Sequence, residues 1–261
     1  MGQGKGTEGF FMTHIKPADY RFNYKAGVDL ATSMYPQISD SFFFVDTREQ
    51  NSHVNPVYEC LGANWDKVKE AEGLQEVVKY AVISTLEDST SCACRTKTGH
   101  RFIVMYFRRM WQSASSNSAF TLDHELGHQL VPSGFGSSKV RLDGESAADA
   151  FASLRTLQRF GTAAGRKLLI RASNARLLAP LNTHVEKDWI HLTGQVLMAI
   201  ISDSDKKPFQ DMSPEDTIAE AESYAQRYAP SRELAEEQWR RLNDIVDDTI
   251  IGNFGADTVK K

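Results

Sequence analysis

Cysteine is scarce in this chain: three residues in 261, at Cys60, Cys92 and Cys94. An odd count with a single C-x-C pair does not make a disulfide framework. It suits a reducing compartment better than a secreted scaffold held together by bridges. Long apolar runs are missing too, since no stretch approaches the roughly 18 apolar residues of a membrane-spanning helix. The opening residues hold no apolar segment of the kind a secretory signal carries, and Gly6 stands where a myristoylation motif needs Ser or Thr. Neither sign of charge dominates, with a net charge of -4 and a pI near 6.0, which argues against a nucleic-acid backbone as the main partner. These absences lead us to expect no nucleic acid and no membrane as partners. They place the protein in a cytoplasm, or among proteins exported by a signal-independent secretion system, as some effectors are.

What is present describes a folded protein. Hydrophobic residues make up 41% and charged residues 25% of the chain, ordinary values for a globular domain. The length allows one large domain or two lobes around a cleft. The first 40 residues read as irregular, punctuated by Pro17 and Pro36. Residues 41–47 (SFFFVDT) and 101–108 (RFIVMYFR) read as buried strands, and residues 65–86 recur at helical spacing. After the loop-like stretch 112–118 nearly everything reads as helix. A turn region at 131–142 contains Pro132, Gly134 and Gly136. Helices are expected at 144–160 and 163–178, the second ended by Pro180. A T-x-x-E capping box at Thr183 and Glu186 opens another, running to about 202. Residues 202–214 read as a solvated connector, and two amphipathic helices, 215–228 and 231–247, follow. The pattern predicts an α+β fold: a small N-terminal α/β lobe (1–131) and an all-helical lobe (143–261), sharing one cleft.

The sequence FTLDHELGHQLVP holds H-E-x-x-H at His124, Glu125 and His128. On a helix, positions i and i+4 share a face, so both imidazoles can address one ion, with Glu125 beside it. Zinc suits such a site. It takes nitrogen and oxygen ligands, is redox-inert, and lowers the pKa of a bound water towards neutrality. With 7 His in 261 residues, chance alone gives this motif in roughly 1% of such chains, so a functional reading outweighs accident. A catalytic zinc needs a third protein ligand. DGESAADAFASL supplies Glu145 and Asp149 at i and i+4 on the next helix, Glu145 to complete a His2Glu set and Asp149 to accept the other N–H of a ligand imidazole. Ala147 and Ala148 keep that helix slim. Asp143 is the fallback third ligand.

His124-Glu125-Leu126-Gly127-His128 followed by Glu145-Ser146-Ala147-Ala148-Asp149 resembles the gluzincin group of zinc metallopeptidases, and the E-x-x-A-D-x-F-A form is similar to poorly characterised bacterial metallopeptidases. The match covers residues 124–152 only. It implies a zincin-like fold in which an edge strand before the metal helix pairs with substrate, here residues 102–107, with Tyr106 and Phe107 as substrate contacts. It implies Zn2+ held by His124, His128 and Glu145, and Glu125 as general base in hydrolysis of a protein or peptide substrate. A donor for the oxyanion is expected from the helical lobe. His191, with Asp188 one turn before it, is the candidate in a stripe that also holds His184 and Gln195. ImmA/IrrE-like regulatory proteases are the nearest competitor. A metzincin is excluded, because Val131 and Gly134 stand where Gly and His are required. From another class, a non-catalytic zinc-stabilised binding module is the rival reading, and an intact Glu125 argues against it.

Overall fold

Helix and strand divide the described residues unequally. The computed structural model describes residues 24–36, 42–46, 91–95, 101–105, 115–135, 141–182 and 192–254. Helices α1 (Tyr24–Met34), α2 (Ser115–Leu130), α3 (Arg141–Asn182), α4 (Gly194–Asp203), α5 (Pro214–Tyr228) and α6 (Arg232–Phe254) account for most of them. The strands β1 (Phe42–Asp46), β2 (Ser91–Arg95) and β3 (Arg101–Met105) are five residues each.

The expected α+β class, with a substrate-pairing edge strand ahead of the H-E-x-x-H helix, is overturned. The described body is helical, and its main core is drawn from helices: Leu122 and Leu126 of α2, Ala147, Phe151, Leu154 and Leu157 of α3, Val196 and Ile200 of α4, Ala221 and Tyr224 of α5. Ile103 of β3 also joins that core. The strand before the metal helix is not at an edge either. The sheet order is β1-β3-β2, with β1 parallel to β3 (Phe42↔Arg101 to Asp46↔Met105) and β2 antiparallel to it (Ser91↔Met105 to Arg95↔Arg101). The physical reason is pairing: β3 is hydrogen-bonded to β1 on one side and β2 on the other, so it has no free edge to offer a substrate strand. Tyr106 and Phe107 lie outside the described residues, as does the helix expected at 65–86.

Other boundaries shift for local reasons. The supposedly irregular start contains α1, whose Ala31 joins the core together with Tyr35 just beyond the helix. The supposed solvated connector contains a short 3-10 turn, Phe209–Asp211, and Phe209 is buried against Tyr224. Helix α5 begins at Pro214, with Ser213 as N-cap accepting from the Asp216 amide (3.0 Å) and Glu215 and Asp216 in the first turn. Thr183, Glu186 and residues up to 191 lie outside the described residues, but no helix runs through 192–193. Thr193 is the N-cap of α4, and Gly194 meets α3 so closely that a Cβ there would lie 2.8 Å from Leu177 Cγ.

Helix α3 is really two arms. Gly161 has φ 71° and ψ 167°, backbone that essentially only glycine adopts. A straight helix from Asp149 to Arg176, 27 residues on, would be about 40 Å long, yet these two side chains are bonded at 2.8 Å. The chain therefore reverses at Gly161, and the second arm (162–182) returns along the first (141–160). Gly165 makes the return possible, since a Cβ there would meet Leu157 Cα at 3.1 Å. This reversal joins what the sequence presented as two independent helices, and the second arm runs past Pro180 to Asn182.

The face of α2 away from the histidines buries a second set of charges. Arg159 Nη2 donates to Asp123 Oδ2 (2.7 Å), while Arg155 Nε stands 3.9 Å from Asp123 Oδ1. Arg155 Nη1 donates to Gln158 Oε1 (2.6 Å), and Gln158 Nε2 donates to Thr217 Oγ1 (2.8 Å), tying α3 to α5. Burial, with Arg155 opposing, pushes the nearby Tyr35 hydroxyl up to about 12. No helix among the described residues is long and apolar enough to cross a membrane.

Candidate metal centre

Helix α2 crosses the first arm of α3 at a point fixed by small residues. A Cβ on Gly127 would lie 2.7 Å from Ala148 Cα and 3.1 Å from Phe151 Cβ, so no larger residue fits between the two histidines. The close crossing brings Glu145, one turn before Ala148, against His124 and His128. His124 Nε2 lies 3.3 Å from Glu145 Oε2, His128 Nε2 lies 3.7 Å from Glu145 Oε1, and the two Nε2 atoms are 3.1 Å apart. His124, His128 and Glu145 form the one group of donors among the described residues whose ligand atoms converge closely enough to hold an ion. Asp143, the fallback, is not in it.

Two hydrogen bonds decide what those nitrogens can do. His128 Nδ1 lies 2.5 Å from the Gly134 carbonyl oxygen. A carbonyl only accepts, so Nδ1 carries the proton and, in the neutral ring, Nε2 carries the lone pair. His124 Nδ1 donates to Asp149 Oδ1 (2.7 Å), which leaves Nε2 as the lone-pair atom by the same logic. Two lone pairs and a carboxylate facing one another repel unless a cation or a proton stands between them. Ligand atoms bound tetrahedrally to zinc at about 2.0–2.1 Å lie about 3.3 Å from one another. The separations found here match that requirement, so the residues fit a zinc ion.

Without metal a proton does that work. Burial opposes a charge on His124, but the Asp149 charge and hydrogen bond and the Glu145 hydrogen bond outweigh it, with Arg176 opposing, and raise its pKa to about 10. Asp149 itself is fully buried. Its four acceptor positions are filled: Oδ1 by His124 and by Arg176 Nη2 (2.8 Å), Oδ2 by Arg176 Nε (2.8 Å) and by the Thr193 hydroxyl. Burial raises its pKa, but Arg176 and His124 outweigh that and hold the carboxyl well below the usual range. Arg176 is held charged in turn. Burial works against it, and Asp149, followed by Glu145 and Glu125, raises its pKa.

The structure thus brings His124, Glu125, His128, Glu145 and Asp149 together, with Glu125 buried on the same helix turn as the histidines. Asp188, His191 and His184 lie outside the described residues, and Gln195 is exposed on α4. Sequence reasoning missed three participants. Arg176 carries no local pattern and reaches the site only through the reversal at Gly161. The Gly134 carbonyl is a backbone group that no side-chain motif reports. Thr193 did leave a signal, as Thr-Gly ahead of the apolar run of α4, but its side chain caps nothing and bonds Asp149 instead. No family model, no curated protein and no solved structure matches this chain.

Proposed function

We propose that this protein is a zinc-dependent metallopeptidase acting on a protein or peptide substrate, with His124, His128 and Glu145 holding the metal and Glu125 as general base. The observation that carries the reading is the convergence of two Nε2 atoms and a carboxylate within 3.1–3.7 Å, each imidazole having its other nitrogen fixed by an acceptor. A pair of histidines placed only for packing has no need of both fixed tautomers. When bound, zinc supplies Lewis acidity that polarises a peptide carbonyl and brings the pKa of water towards neutrality.

The chain's own residues do the rest. Glu125, one residue after the first histidine, takes a proton from the attacking water as the oxygen–carbon bond forms. It delivers that proton to the amine nitrogen as the carbon–nitrogen bond breaks. Asp149 keeps the His124 proton on Nδ1 and strengthens Nε2 as a donor. Arg176 holds Asp149 charged, and Arg176 and Thr193 together orient it. The H-E-L-G-H…E-x-x-x-D arrangement resembles that of gluzincins, which supports the same assignment.

The test is cleavage-site profiling in a lysate with wild type and Glu125→Gln. Both should hold about one zinc per chain, and only the wild type should generate new peptide termini. Identical peptide sets from the two proteins would refute hydrolysis by Glu125. Zinc binding without any turnover would instead support a zinc-stabilised binding module.

A further inference from the structure

We infer that Glu222, on α5, is a positioning residue for the metal site, acting through the loop after α2 to aim the His128 imidazole. The inference rests on the zinc reading above and adds a residue remote in sequence from the motif. Glu222 Oε2 accepts from both the amide (3.0 Å) and the hydroxyl (2.7 Å) of Ser133, 89 residues away. Its other oxygen accepts from Gln226 Nε2 (2.7 Å). The next residue, Gly134, presents the carbonyl that takes the proton of His128 Nδ1 at 2.5 Å.

The loop has little slack. Val131 N donates to Gly127 O (3.0 Å) and Gly134 N donates to Val131 O (2.9 Å). Gly134 is pressed onto the end of α2, where a Cβ would lie 2.5 Å from Gly127 O and 2.6 Å from His128 O. The carbonyl that orients His128 is therefore set by how the 131–134 turn is seated, and the Glu222 carboxylate seats it from outside α2. Burial opposes the Glu222 charge, but the two Ser133 bonds and the Gln226 bond outweigh it and lower its pKa. His124 is oriented by a side chain buried at the helix crossing. His128 is oriented by backbone, and backbone in a turn needs an anchor.

The experiment measures zinc affinity by chelator competition and the visible spectrum of the cobalt(II)-substituted protein. Glu222→Ala should bind zinc about tenfold more weakly and shift the cobalt bands, because the His128 ring is no longer held in one orientation. Glu222→Gln keeps an acceptor oxygen and should restore most of both readouts. Ser133→Ala keeps the amide bond and should fall between. Gln226→Ala, a change on the same helix that leaves Ser133 bonded, should match the wild type. Wild-type affinity and an unshifted cobalt spectrum in Glu222→Ala would overturn the clamp, and if that variant fails to fold, the same readouts on Ser133→Ala decide. A wild-type protein that binds no zinc would overturn the metal site itself, an outcome distinct from failure of the clamp.

Discussion

The two faces of α2 bury charge in opposite ways. On the back, Asp123 meets Arg159 directly, and Arg155 is tied to Gln158. On the front, the charge of Asp149 is closed by Arg176, Thr193 and the His124 Nδ1 proton, while two Nε2 atoms and the Glu145 carboxylate still face one another. The back sets opposite charges directly against each other. The front is complete only with a cation or a proton. Burial of charge is thus shared by a structural cluster and a candidate metal centre. What separates them is the set of ligand atoms aimed at one point.

The largest effects should come from breaking one face at a time. Asp123→Ala leaves two guanidinium groups buried without their carboxylate and should cost about 3–5 kcal/mol of stability, while the folded fraction keeps its zinc. His128→Ala should do the reverse, losing most of the zinc with the Asp123 cluster intact. Urea unfolding and metal analysis on both variants check this. Zinc loss from the folded fraction of Asp123→Ala would show that the faces are not independent.

A smaller effect is expected where a residue orients the ligands without being one. Asp149→Ala should weaken zinc binding about 10–100-fold, whereas Glu145→Ala should abolish most of it. Equal losses from the two, by chelator competition, would erase the distinction between ligand and orienting group.

The proton on the front face gives the comparison a pH dependence. His124 has its pKa raised from 6.5 to about 10, so in metal-free protein its protonation stabilises the fold fully below pH 6.5, and that contribution is lost as pH rises through 10. Zinc must displace this proton. Apparent zinc affinity should therefore rise about tenfold per pH unit between those limits, after correction for the chelator, and Asp149→Asn should flatten the slope. The smallest effect is expected from Thr193→Val, which removes one of four bonds to Asp149 and should cost about 1 kcal/mol by thermal unfolding, with zinc retained.

The sequence carried the candidate site further than the fold. H-E-x-x-H and E-x-x-x-D are side-chain patterns at helical spacing, and helical spacing alone places each pair on one face. Ala147 and Ala148, two and three residues after Glu145, marked the slim side of the crossing as well. Strand edges are different. Whether 101–105 lies at a rim or in the middle depends on partners from 42–46 and 91–95, and nothing within RFIVM names them. Arg176 was hidden because Gly161 reads as one helix break among several, and only its positive φ turns a break into a return. The Gly134 carbonyl was hidden because backbone acceptors have no letter in the sequence.

The reversal at Gly161 also orders events in time. Residues 141–182 can close on themselves by a short local excursion, which is entropically cheap, and doing so pairs Arg176 with Asp149. The two histidines come earlier in the chain and leave the ribosome first. A nascent chain therefore presents the two histidines before Glu145 has emerged, and Glu145, the proposed third ligand, arrives on a hairpin whose second arm must still be made. If the site takes zinc as proposed, capture of the metal and closure of that hairpin would become a single late step of biogenesis.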